Sequence, residues 1–156
     1  MPIRRIVEYL DRHQIDYEVV DHEEAYTAQE AAAAAHIPGR ELAKSVVVKV
    51  DGSMALAVLP APYRVDLEAL AGELDAEGVE MASEEEFAEL FPESELGAMP
   101  ALGNLYDLPV YADRRLEADE EIAFAAGSHS QLVRMRFDDY QRLVEPRLVS
   151  FGRPED

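Results

Sequence analysis

The sequence predicts a mixed α/β fold in which helices pack around a mixed sheet or compact β-barrel. The chain has 156 residues, 48% of them hydrophobic, which is enough for one sizeable core and short for two. Amphipathic helices and strand-like runs are interspersed along it. Several neighbouring strands are joined as hairpins, which argues against a strict strand–helix–strand repeat. We therefore expect one domain over residues 1–156.

The first forty residues predict two helices separated by a strand. Apolar side chains recur at helical spacing over residues 3–12, and "IDYEVV" (15–20) alternates as a strand does. Thr27 and Glu30 have the spacing of a capping box ahead of an alanine-rich helix. A Pro-Gly pair at 38–39 ends that helix.

The segment "KSVVVKV-DG-SMALAVLP" predicts a β-hairpin at the centre of the sheet. Asp51 and Gly52 favour the positive φ angles that a two-residue hairpin turn requires. Both faces of each strand are largely apolar, so we expect other layers to cover the hairpin on both sides.

The second half of the chain continues this mixture. Asp66 caps a helix that Gly78 stops, and "VEMA" is a short strand. Ser83 and Glu86 form a second capping box, at the start of a helix that runs through Phe91. The remaining pattern predicts three strands, a helix and a final strand, at residues 109–113, 121–126, 131–136, 138–144 and 147–151.

Composition and charge exclude several classes of function. No apolar run is long enough to cross a bilayer, so we expect a cytoplasmic protein with no membrane partner. The absence of cysteine excludes disulfides and thiolate catalysis, and the four histidines lack the spacing of a metal site. We therefore expect no metal. The net charge of -19 argues against broad, non-specific nucleic-acid binding.

Lys44 is a candidate functional residue because it begins an otherwise apolar strand face. Alternate residues of a strand share a face, so Lys44 points the same way as Val46 and Val48. Two interpretations stay open. The lysine extends to water from a strand end, or its ammonium lies at the mouth of an apolar pocket and holds a phosphate or a polarised carbonyl.

Ser128, His129 and Asp113 do not predict a hydrolase triad. The chain has no G-x-S-x-G motif, and adjacent Ser and His side chains on an extended segment point to opposite faces. The "GSHS" segment is better explained as a tight turn between strands, in which Gly127 permits the bend.

The segment "GAMPALGNLYDLPVY" (97–111) has two glycines and two prolines, but no acid, base or nucleophile before Asp107. Glycine and proline fix the backbone of a loop, and fixed N–H groups can bind a water or stabilise an oxyanion. An ordinary structural turn is the alternative interpretation.

Taken in order, "AKSVVVKVDGSMALAVLPA", "GAMPALGNLYDLPVYADRRL" and "AAGSHSQLVRM" resemble the YbaK-type aminoacyl-tRNA deacylases. That family is related to the editing domain inserted in bacterial prolyl-tRNA synthetases. The resemblance covers residues 5–150. It implies a fold like the editing domain and hydrolysis of the ester between a wrong amino acid and the tRNA 3′ end, without a cofactor. It also implies the aminoacyl-tRNA 3′ end as a partner, with an aminoacyl-tRNA synthetase as a second candidate.

The resemblance also implies site residues by position. Lys44 corresponds to the family's signature lysine, expected to hold the terminal adenosine's phosphate or the ester region. Gly97 opens the family's G-x-x-x-P loop, but Ala101 stands at the proline position and Pro100 comes one place early. The backbone of this loop would position the attacking water: Gly97, Ala98, Met99, Pro100 and Ala101. The implied substrate-binding residues are Tyr26, Asp113, Gly127, Ser128 and His129.

Such chemistry needs no nucleophilic side chain. An aminoacyl ester is already activated, so a positioned water and stabilisation of the oxyanion suffice without a covalent intermediate. Two alternatives stay open: a non-catalytic module of the same fold that binds an aminoacyl or nucleotide end or a synthetase, and hydrolysis of a non-tRNA acyl ester or amide. The acidic charge predicts recognition of the terminal nucleotides alone, with a shallow salt dependence.

Overall fold

The helices and strands follow the predicted order, with two strands added. The computed structural model describes residues 2–92, 94–95 and 97–155. Within them the α-helices are α1 (Pro2–Arg12), α2 (Ala28–Ala34), α3 (Leu67–Leu74), α4 (Glu84–Phe87) and α5 (Phe137–Val144). The strands are β1 (Tyr17–Asp21), β2 (Ala43–Val50), β3 (Ser53–Pro60), β4 (Tyr63–Val65), β5 (Val79–Met81), β6 (Val110–Asp113), β7 (Glu121–Ala125), β8 (Gln131–Arg136), β9 (Arg147–Val149) and β10 (Gly152–Pro154). In the described part of the chain, no helix has the length and apolar character needed to cross a membrane.

The predicted hairpin of β2 and β3 lies at the centre of a five-stranded sheet with the order β5-β2-β3-β6-β9. Asp51 and Gly52 both have positive φ, at 48° and 86°, as the two-residue turn requires. Val47 and Leu56 pack into a core cluster with α1 and α5, whereas Leu59 packs into another cluster with α3. Both faces of the hairpin are therefore covered, and that prediction is confirmed.

The sheets do not close into a barrel within the described residues. A three-stranded sheet (β1-β8-β7) and a two-stranded sheet (β10-β4) stand beside the five-stranded one. An isolated bridge pairs Leu42, the residue before β2, with Ala123 of β7. The five-stranded sheet ends at the edge strands β5 and β9, each of three residues, which do not pair with each other. The prediction of a mixed sheet is therefore confirmed, and the prediction of a barrel is wrong.

The helix starts follow the predicted caps. Thr27 and Ser83 form complete capping boxes, and the Asp66 side chain accepts a hydrogen bond from the Ala69 N–H. The helix ends differ from the prediction. Asp75, with a φ of 57°, ends α3 before Gly78, and α4 gives way to a 3₁₀ turn over residues 88–90 before Phe91.

Strands β4 and β10 were not predicted, and they pair with each other. This pairing brings the end of the described chain back across the molecule, where the Glu155 N–H donates to the Pro62 carbonyl. A three-residue pairing of distant segments leaves no local pattern in the sequence. Its consequence is that Glu155 lies next to Lys44.

Candidate active site

A pocket of about 420 Å³ lies where four segments meet. They are the loop before α2, the start of β2, residues 97–99 and the turn between β7 and β8. This arrangement brings together seven of the residues that the sequence singled out: Tyr26, Lys44, Gly97, Ala98, Met99, Ser128 and His129.

Lys44 lines this pocket and also an adjoining opening, whose lining includes both partners of its ammonium. Its Nζ donates a hydrogen bond to the Ala61 carbonyl at 3.1 Å and lies 3.5 Å from the Glu155 Oε2. The side chain is 20% exposed, so it does not extend freely into water. An ammonium has three donors, and the two described contacts leave one for a phosphate or carbonyl oxygen.

The loop that begins at Gly97 is fixed by its backbone. Gly97 has a φ of 85°, which favours glycine. The Ala98 carbonyl accepts from the Gly127 N–H at 2.9 Å, and the Gly127 carbonyl accepts from the Glu95 N–H at 2.8 Å. Among the described residues, no acceptor pairs with the Gly97 or Met99 N–H. These two amides are the loop's candidates for binding a water or an oxyanion.

Pro100 and Ala101 are buried behind the pocket wall and anchor the loop. The Tyr140 hydroxyl donates to the Ala101 carbonyl at 2.6 Å, and both residues are fully buried. Burial raises the pKa of the Tyr140 hydroxyl above its ordinary value, so this hydroxyl stays protonated. At the position where the family motif has proline, a buried hydrogen bond therefore holds the backbone.

Tyr140→Phe is expected to lower the free energy of unfolding by about 1–3 kcal/mol, because the buried Ala101 carbonyl loses its described partner. Urea denaturation measures the change. Tyr111→Phe is the matched control: no described residue hydrogen-bonds its hydroxyl, so its effect should stay within about 0.5 kcal/mol. Equal stability of the two variants would contradict this role.

Two hydroxyl groups of the pocket lack hydrogen-bond partners. The Oγ atoms of Ser45 and Ser128 are both buried without a partner in the described structure, and both residues line the pocket. A buried polar atom left unpaired costs about 1–3 kcal/mol, so such atoms favour a polar ligand or water. Sequence reasoning missed Ser45, because strand alternation places it on the opposite face from Lys44. The pocket lies at the start of β2 and contacts both residues.

An aromatic pair forms the outer rim. The rings of Tyr26 and His129 are 4.9 Å apart at 50°, and Tyr26 is 65% exposed. The Tyr26 hydroxyl donates to the Glu24 Oε1 at 2.7 Å, and this hydrogen bond raises the pKa of Tyr26. The Glu95 carboxylate accepts from the His129 N–H at 2.7 Å. The rim is thus held in place and remains open to solvent.

Asp113 and Gly127 lie outside the lining of the pocket. The Asp113 carboxylate is fully buried and accepts hydrogen bonds from the backbone N–H groups of Arg115, Phe151 and Gly152 and from the Arg115 guanidinium. It fastens the segment that leads to β10. Gly127, with a φ of 91°, makes the turn that holds Ala98. Gly127 therefore supports the pocket through Ala98, whereas the described contacts of Asp113 are with residues outside the pocket lining. Within the described residues, Ser128 makes no hydrogen bond to His129.

The chain belongs to the aminoacyl-tRNA editing domain family, whose sequence model matches residues 22–143. It is similar to the Multifunctional Ser/Thr-tRNA deacylase ProXp-y of Escherichia coli (strain K12), with 34% identity over 158 residues. That alignment covers 96% of this chain and 92% of the relative. The family and the predicted class of activity, an aminoacyl-tRNA deacylase, are therefore confirmed.

Related domains are also found in synthetases and in solved structures. A proline–tRNA ligase of Shouchella clausii (strain KSM-K16) is 36% identical over 106 residues, which cover 66% of this chain and 18% of the ligase. A candidate trans-editing enzyme for prolyl-tRNA synthetase has the same fold, with a TM-score of 0.83 and 24% identity. That structural match covers 99% of this chain and 98% of the other chain.

Proposed function

We propose that this deacylase removes a small hydroxylated amino acid, serine or threonine, from mischarged tRNA. The observation that carries the proposal is the pair of unpartnered hydroxyls, Ser45 and Ser128, in the pocket wall. Both Oγ atoms are buried in the described structure, so a substrate hydroxyl would satisfy them after a change of side-chain rotamer, whereas an apolar side chain would leave them unpaired, which is costly. The name of the Escherichia coli relative, a Ser/Thr-tRNA deacylase, supports this choice.

The proposed mechanism uses a water molecule as the nucleophile. The Gly97 and Met99 amides orient that water or stabilise the oxyanion that forms when it adds to the ester carbonyl. Lys44 holds the terminal phosphate or the ester region. The bond between the carbonyl carbon and the ribose oxygen then breaks, the ribose oxygen takes a proton, and the free amino acid leaves. The neighbouring ribose hydroxyl is our candidate for relaying that proton.

The tRNA substrate also defines the proposed partner and location. A prolyl-tRNA synthetase is the partner we propose, because related domains lie within such enzymes. Charged tRNA is made and used in the cytoplasm, so we place the protein there.

A panel of tRNAs charged with serine, threonine, alanine or cysteine tests the proposed function. We expect Ser45→Ala to reduce the preference for seryl over alanyl ester roughly two- to tenfold, the worth of one hydrogen bond. Ser53→Ala, at an exposed serine that begins β3, is the control.

Two other outcomes of the panel would reject the proposal. A wild-type enzyme that hydrolyses alanyl and seryl esters equally would disprove the preference. Tight binding of charged tRNA with every ester left intact, at low and at high salt, would indicate the non-catalytic module instead.

A further inference from the structure

A second, open groove of about 730 Å³ adjoins the pocket. The pocket and this side groove share Tyr26, Ser45, Gly97 and Met99. The other walls of the side groove come from β2, the end of β5 and α4: Val46, Val47, Met81, Ala82, Glu84 and Phe87. The two cavities are therefore continuous along the rim of the site.

The side groove exposes large apolar side chains. Tyr26 is 65% exposed and Met81 is 54% exposed, and both line this groove. Of the large hydrophobic residues that the structure describes, the third exposed one is Val19 on β1, outside the groove. Apolar side chains clustered at a concave surface next to an active site indicate a ligand-binding surface.

The charges around the side groove exclude a phosphate. Glu84 is the charged residue of its described lining. The nearby Lys49 is already engaged, because its Nζ lies 2.6 Å from the Glu86 carboxylate and 3.1 Å from the Glu80 carboxylate. A neutral, flat ring would enter such a groove, whereas a phosphate would meet a negative charge without a free cation.

We propose that the side groove binds the purine base of the tRNA's terminal adenosine. The base stacks against the Tyr26 ring and the Met81 thioether, two groups that pack favourably on aromatic faces. This proposal rests on the proposed function in one respect, that the acylated terminal ribose sits at the pocket. A ribose held there by its ester has its base within one nucleotide's reach of the adjoining groove. The phosphate of the terminal nucleotide then lies toward Lys44, away from the side groove.

A pair of minimal substrates tests this site: a seryl ester of adenosine and the same ester of a ribose without a base. We expect Met81→Ala to lower the ratio of kcat/KM for the two substrates roughly two- to tenfold, the worth of one thioether–ring contact. Met81→Leu keeps apolar bulk and should restore part of the ratio. Val19→Ala, the exposed apolar residue outside the groove, should leave the ratio at the wild-type value.

The outcomes separate this inference from the proposed serine preference. If another aminoacyl ester proves to be the better substrate, the same comparison is made with that amino acid. An unchanged ratio in Met81→Ala would overturn the inference. So would a Met81→Ala variant that keeps the ratio but loses binding to a synthetase, because the groove would then be a protein-docking surface.

Discussion

Lys44→Ala is expected to lower kcat/KM for mischarged tRNA about tenfold or more. Hydrogen bonds to a charged group contribute about 1.5–3 kcal/mol, and about 1.4 kcal/mol corresponds to a factor of ten. Lys44 lines the pocket, and its ammonium is held beside it by the Ala61 carbonyl and Glu155, which line the adjoining opening. Its loss removes the cation that we assign to the phosphate or ester. Initial rates at several tRNA concentrations measure the effect.

The chain provides a matched control in its second lysine. Lys49 pairs with Glu80 and Glu86, and its hydrogen bond lowers the pKa of Glu86 to about 2. Lys49→Ala removes the same positive charge from the molecule, away from the described lining of the pocket. It should therefore leave kcat/KM near the wild-type value. Equal losses in the two variants would mean that Lys44 acts through net charge alone, and unchanged rates in both would remove it from the mechanism.

The parts of the fold that could be predicted are those set by neighbours in sequence. Thr27 with Glu30, and Ser83 with Glu86, satisfy backbone groups three residues away, so their capping boxes are visible in the sequence. The Asp51-Gly52 turn is equally local. Pairings between distant segments, such as β4 with β10, depend on the assembled molecule and leave no such signal. The single domain over residues 1–156 stays a prediction.

The same distinction between local signals and distant contacts applies to the candidate site. The strand pattern marked Lys44, and glycine and proline marked the loop at Gly97 and the turn at Gly127. The resemblance added the roles of these segments in the site. The contacts between these segments had to come from the structure. Asp113 illustrates this limit: its carboxylate ties together three backbone amides and Arg115, which no pattern around residue 113 indicates.

Gly97→Ala is the other change with a large expected effect, a fall in kcat of roughly a hundredfold with little change in KM. A Cβ at residue 97 would lie 3.5 Å from the His129 Cε1 and 3.9 Å from the Tyr26 carbonyl oxygen, which are ordinary contacts. The substitution acts instead through the backbone, because the φ of 85° at residue 97 strains an L-residue by roughly 1–2 kcal/mol. Relaxing that strain moves the Gly97 and Met99 amides. Loss of one oxyanion donor typically costs about 10²–10³ in kcat.

Gly52→Ala separates the catalytic role of the loop from the cost of the strained residue itself. Gly52 has a φ of 86°, and no atom lies within 4 Å of a Cβ built there, so the substitution introduces the same backbone strain in the hairpin turn. Both variants should lose similar stability in urea denaturation. The single-turnover rate of ester hydrolysis should fall in Gly97→Ala and stay at the wild-type value in Gly52→Ala. If both variants retain full turnover, the 97–101 segment is an ordinary turn, and the oxyanion must be stabilised by another part of the pocket.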